Sequence, residues 1–131
     1  MTRHRWADRR GQATVEVALA LPVVVLALLL VVQVALVARS QLLVVHAARE
    51  GARAAAVDPA PGVADRAARA TPGLRPGSVR TGSTLTGADG GLVEVTVRYR
   101  APTDVPLVGR LLGEPELRAT VAMRVEHGSP P

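Results

Sequence analysis

Hydrophobic residues follow two patterns along this chain. From Val17 to Ala38 they run without a break except at Gln33, and beyond Pro76 they recur at every second position. The first run holds 22 residues, and at a helical rise of about 1.5 Å per residue it reaches roughly 33 Å, enough to cross a bilayer's hydrocarbon core. It predicts a transmembrane helix. Pro22 lies inside the run, where it removes the hydrogen bond to the Ala18 carbonyl and predicts a kink.

The helical pattern continues past Arg39 to Ala56. His46, Arg49, Glu50 and Arg53 form one polar stripe, while Ala47, Gly51 and Ala55, with Ala48, Ala52 and Ala56 beside them, form a stripe of small residues. Small residues at that spacing admit a close neighbour, either the chain's own domain or a helix of a second subunit. Asp58-Pro59-Ala60-Pro61-Gly62 predicts the end of this helix, Val63 to Thr71 a short amphipathic helix, and Pro72-Gly73 with Pro76-Gly77 its closure.

The period then changes to two. Ser78 to Thr86 predicts a weak strand, Ala88-Asp89-Gly90-Gly91 a turn, and Leu92 to Arg100 a half-buried strand with Val93, Val95, Val97 and Tyr99 on one face and Glu94, Thr96, Arg98 and Arg100 on the other. Glu116 to Glu126 alternates again, with Leu117, Ala119, Val121, Met123 and Val125 inward. Between these two strands, Ala101 to Pro115 is punctuated by Pro and Gly yet apolar at Val105, Leu107, Val108, Leu111 and Leu112, which suits a cover for one end of a sheet or a contact surface. His127 to Pro131 reads as a frayed tail. The expected fold is α+β, a long N-terminal transmembrane helix extending into a small domain of about three antiparallel strands. Three such strands are marginal alone, so the helix or neighbouring subunits must complete the core.

Charge changes this picture less than its total suggests. The net charge is +5, and all sixteen basic residues are Arg. Arg3, Arg5, Arg9 and Arg10 stand against only Asp8 before the span, and Arg39, Arg49 and Arg53 against Glu50 just after it, so most of the excess flanks the apolar run. With Trp6 and Tyr99 the only aromatics, nothing resembles the interleaved basic and aromatic surface of a nucleic-acid binder. A basic cluster before an apolar helix predicts a cytoplasmic N-terminus. The expected localisation is the cell membrane, single-pass, with membrane lipid as a partner and the C-terminal domain extracytoplasmic. Secretion with cleavage near Ala38 is disfavoured, because the run is long for a signal sequence and Leu36 occupies a position that the peptidase needs small.

Catalytic chemistry has little to build on. His4, His46 and His127 lie in three separate regions without metal-ligand spacing, Cys is absent, and Asp89-Gly90-Gly91 is turn chemistry rather than a phosphate loop. No catalytic residue, no metal site and no cofactor are expected.

Glu16 stands out, because a carboxylate at the mouth of an apolar run is costly. Were the bond after Gly11 cut, the new amine of Gln12 and the Glu16 carboxylate, four residues apart, could pair along one helix or between adjacent subunits. Gly11 followed by Glu16 five residues on resembles the processing site of type IV prepilins. The longer string from Arg10 to Pro22, with Ala47-Ala48-Arg49-Glu50-Gly51-Ala52-Arg53-Ala54 and the closing strand from Leu117 to Glu126, resembles the TadE-like pilus-assembly family, small pseudopilins of tight-adherence (Flp) pili.

That resemblance implies cleavage between Gly11 and Gln12 by a prepilin peptidase and subunit recognition through Glu16. It also implies partners among other pseudopilins or pilins and the inner-membrane assembly platform. The chain would then divide into a cytoplasmic leader (1–11), a transmembrane helix (12–38), an extracytoplasmic helix extension (39–57) and a small pilin-like domain (58–131). Gln12 stands where ordinary type IV pilins carry an apolar residue, often Phe, which argues against a major pilin, and Val17 stands where the TadE-like family often has Phe. The alternative is a tethered or secreted binding domain with no pilus role, using Val105 to Leu112 as its contact surface.

Overall fold

The computed structural model describes residues 8–86, 91–103, 105–107 and 113–125, with the backbone alone for 8–10. One helix dominates it. Helix α1 runs from Asp8 to Val57, 50 residues, or about 75 Å at the helical rise. The apolar run and its amphipathic continuation are thus one element. It passes through Pro22 without a break, since a proline costs one hydrogen bond while the turns on either side keep theirs.

The helix ends where the sequence predicts. Asp58 still donates its N–H to the Ala54 carbonyl at 2.9 Å, its carboxylate accepts from the Ala60 N–H at 3.0 Å, and Pro59 and Pro61 cannot continue the ladder. Gly62 then turns the chain at φ +83°, a conformation that favours glycine. Helix α2, Val63–Arg69, follows. Arg69 pairs with Asp65 one turn back at 2.8 Å and donates to the Pro76 carbonyl at 2.9 Å, which ties α2 to the 3-10 turn Pro76–Ser78.

Three strands complete the head: β1 (Val79–Thr86), β2 (Leu92–Arg100) and β3 (Glu116–Arg124), antiparallel in the order β1-β2-β3. Ala88 to Gly90 of the predicted turn and Glu126 of the predicted last strand lie outside the described residues. The Ala101 N–H donates to the Pro115 carbonyl at 3.0 Å, so the connection between β2 and β3 leaves and re-enters the sheet at the same end.

The sheet lays its apolar face against the C-terminal half of α1. Val93, Val95, Val97 and Tyr99 are buried, and Leu117, Ala119, Val121 and Met123 of the edge strand β3 are half-buried against the same cluster. From α1 the core receives Val44, Ala47, Ala48, Ala52, Ala55 and Ala56, and from α2 Ala64 and Ala68. Their small side chains set the approach distance. A Cβ on Gly51 would come within 3.1 Å of the Ala64 carbonyl oxygen and 3.2 Å of Val95 Cγ1, so α1, α2 and β2 converge on this glycine. The stripe of small residues is therefore filled by the chain's own domain. Of the two neighbours that its spacing admits, the structure shows the chain's own domain, since the sheet needs the same close approach that a neighbouring helix would.

Along α1 one side is covered before the apolar run ends, while Val31, Val32, Val34 and Leu36 stay exposed. Residues 11–28 are all exposed, whereas Gln33 is buried to 3% exposure and Leu36 meets Tyr99 and Pro102 in one cavity. The domain thus begins on the helix before Ala38, with no stalk between them. The Gln33 side-chain oxygen has no hydrogen-bond partner among the described residues.

Candidate functional site

Two features outside the core carry side chains that the fold does not use. The first is the head of α1. Gly11, Gln12 and Glu16 are all exposed, and nothing lies within 4 Å of where a Gly11 Cβ would be. Gln12 and Glu16 stand one turn apart on one face, about 6 Å along the axis. Glu16 makes no ion pair or hydrogen bond among the described residues.

The bond between Gly11 and Gln12 falls in the opening turn of a helix that starts at Asp8. The first four N–H groups of any helix lack intrahelical partners, and glycine weakens helix by about 1 kcal/mol. This stretch is accordingly the part of α1 that unwinds most readily into the extended form a peptidase requires. Its exposure and weak helical hold are both compatible with processing there.

The second feature is the outer face of the sheet. Arg80 pairs with Arg98, and Arg98 with Arg118, so three arginines stand directly opposite one another across three strands. All three are exposed. Beside them Arg100 faces Glu116, and one row further from the strand ends the Thr96 and Thr120 hydroxyls lie 2.9 Å apart. Like charges placed opposite one another destabilise a sheet. The alternation of β2 places Arg98 and Arg100 on one face without aligning them with Arg80 and Arg118 in a row. The signal that could have found it is the strand register, which the alternation alone does not supply.

Ala47, Ala48, Gly51, Ala52 and Ala55 belong to the core just described. Gly11, Gln12 and Glu16 lie along the opposite, bare half of α1, far from the sheet. Among the described residues no cluster of His, Asp or Glu has the makeup of a metal site.

These features define a class of protein: a single long helix, apolar enough to cross a membrane, that carries a small α+β head directly on its C-terminal half. A more specific relation comes from comparison with known families. Residues 11–53 match the family described as TadE-like protein, the family indicated by the strings at Gly11 to Pro22 and Ala47 to Ala54. Comparison with curated proteins and with solved structures returns no significant match.

Proposed function

We propose that the chain is a non-enzymatic, membrane-anchored pseudopilin that takes part in assembling or initiating a tight-adherence pilus. The observation that carries this reading is the family match over residues 11–53, which opens on Gly11 and takes in Glu16, the bare apolar half of α1 and its first packed turns. A membrane prepilin peptidase removes Met1 to Gly11 on the cytoplasmic side. The freed Gln12 amine and the Glu16 carboxylate then match one subunit to the next as the apolar halves of α1 gather into a bundle, and the head stays extracytoplasmic.

The geometry supports that division of labour. The outer half of α1 is consumed by the head, so the inner half, exposed from Gly11 to Leu28, is the surface left for helix-to-helix contact. An uncompensated carboxylate inside such a bundle is unfavourable, so its pairing with a neighbour's amine makes subunit register selective. In-frame deletion of the gene is expected to abolish surface filaments, and expression of the full chain to restore them. Normal filaments in the deletion strain, counted by electron microscopy, would contradict the reading.

A further inference from the structure

We propose that the row Arg80, Arg98 and Arg118 binds phosphate groups of anionic phospholipids in the leaflet from which α1 emerges. The inference rests on the membrane-spanning part of the reading above, and on neither the pilus role nor the orientation.

Height along the helix is the first argument. The Gln41 side-chain amide donates to the Arg118 carbonyl at 3.1 Å, which fixes the row near the level of Gln41. That residue lies three positions beyond Ala38, about 4.5 Å along the axis. The headgroup layer on each side of the hydrocarbon core is about 5–7 Å thick. The row therefore stands within it. Tyr99 and Pro102, at the same end of the sheet, share a cavity with Leu36, Arg39 and Ser40, so no spacer lifts the sheet away from the bilayer.

Chemistry is the second argument. Neighbouring strands are about 4.8 Å apart, so the three guanidinium groups span about 10 Å, a width that suits one or two phosphodiester groups. Arginine engages phosphate through two parallel N–H donors. No carboxylate pairs with any of the three among the described residues. Gly82, with nothing within 4 Å of its absent Cβ, and Thr96 join the row in lining one concavity, which adds a hydroxyl and open space, with the Glu94 carboxylate on its side away from the membrane end.

Charge distribution is the third. The outer face carries Arg80, Arg98, Arg100, Arg118 and Arg124 against Glu94 and Glu116. Arg80, Arg98, Arg118 and Arg100 stand toward the membrane end with Glu116, while Glu94, at the other side of the concavity, and Arg124 lie further along the strands and offset each other in charge. On the strands the excess positive charge therefore lies toward the end that meets the bilayer. Leu107, 66% exposed, belongs to the connection at that same end and suits the adjoining hydrocarbon.

The test uses the full chain in mild detergent, incubated with equimolar phosphatidylglycerol and phosphatidylcholine and examined by native mass spectrometry. Wild type is expected to retain phosphatidylglycerol over phosphatidylcholine by about tenfold. Combined Arg80→Gln, Arg98→Gln and Arg118→Gln should reduce that ratio to within about twofold of unity. Combined Arg53→Gln and Arg66→Gln, at exposed sites toward the far end of the head, should leave it unchanged. Arg98→Glu should abolish the preference while raising the midpoint of thermal unfolding, because it replaces two like-charge contacts with two opposite ones. That paired result would not come from a damaged fold. A wild type without preference, a preference that survives the triple substitution, or one that disappears in 10 mM inorganic phosphate each overturns the lipid assignment. Extraction of the chain from cell membranes by alkaline carbonate would instead remove the membrane reading beneath it.

Discussion

Glu16→Ala is expected to leave the chain in the membrane and to remove its capacity to assemble. Insertion survives because the substitution makes the exposed half of α1 more apolar, which lowers the cost of burying it in lipid. Assembly fails for the opposite reason: the Gln12 amine of a neighbour loses its counter-charge inside a water-poor bundle. Breaking a buried pair by deleting one partner costs about 3–5 kcal/mol. A contact weakened by that amount forms about a hundredfold to a few thousandfold less often. Filament counts by electron microscopy and carbonate extraction of the same cells measure the two halves of the prediction. Normal filaments would remove Glu16 from any recognition role, and loss of the chain from the membrane would show that its role is insertion instead. Glu16→Gln separates charge from shape, since the amide keeps the size of the side chain but cannot form the ion pair.

Gly51→Val is expected to collapse the head without disturbing the span. The added Cβ meets the Ala64 carbonyl oxygen at 3.1 Å and Val95 Cγ1 at 3.2 Å, and the first of these is backbone that cannot rotate away. Overpacking of this kind costs about 1–3 kcal/mol, and valine adds two methyl groups beyond the Cβ. The head is small, with three strands and an edge strand only half-buried, so that loss is a large part of its stability. Limited proteolysis of the full chain in detergent should leave a protected fragment ending in the outer part of α1. Gly51→Ala calibrates the effect: alanine gains about 1 kcal/mol of helix propensity against the same carbonyl contact. It should fall between wild type and valine. A Gly51→Val chain as protease-resistant as wild type would mean that α1 and α2 can separate at this point.

Much of this architecture could be read from residue order because its elements announce themselves locally. The apolar run, the Asp58-Pro59 stop and the alternation from Val93 to Tyr99 each have a period or a breaker that needs no partner to be recognised. The small-residue stripe from Ala47 to Ala55 was ambiguous for a physical reason: the same spacing serves an internal sheet and an external helix. Only the position of the sheet on α1 decides between them. The arginine row was hidden for a related reason. Each of its members lies on a different strand, and their alignment depends on a register set by loops and core packing. Gln33 interrupts the apolar run, and in the fold it is the first fully buried residue of α1 among the described residues.

The candidate processing site differs from all of these. Gly11 and Glu16 were singled out from spacing and from resemblance, and the structure adds exposure and a weak first turn. What joins them into one device in the proposed function is a cleavage event, whose product would be a chain with a new amine at Gln12. The most direct measurement is therefore the intact mass and N-terminal sequence of the protein extracted from the membranes of cells that express its prepilin peptidase. A mature chain beginning at Gln12, and an unprocessed one from cells lacking the peptidase, is the predicted result. A chain that retains Met1 to Gly11 in both, or one that begins near Arg39, would contradict the account.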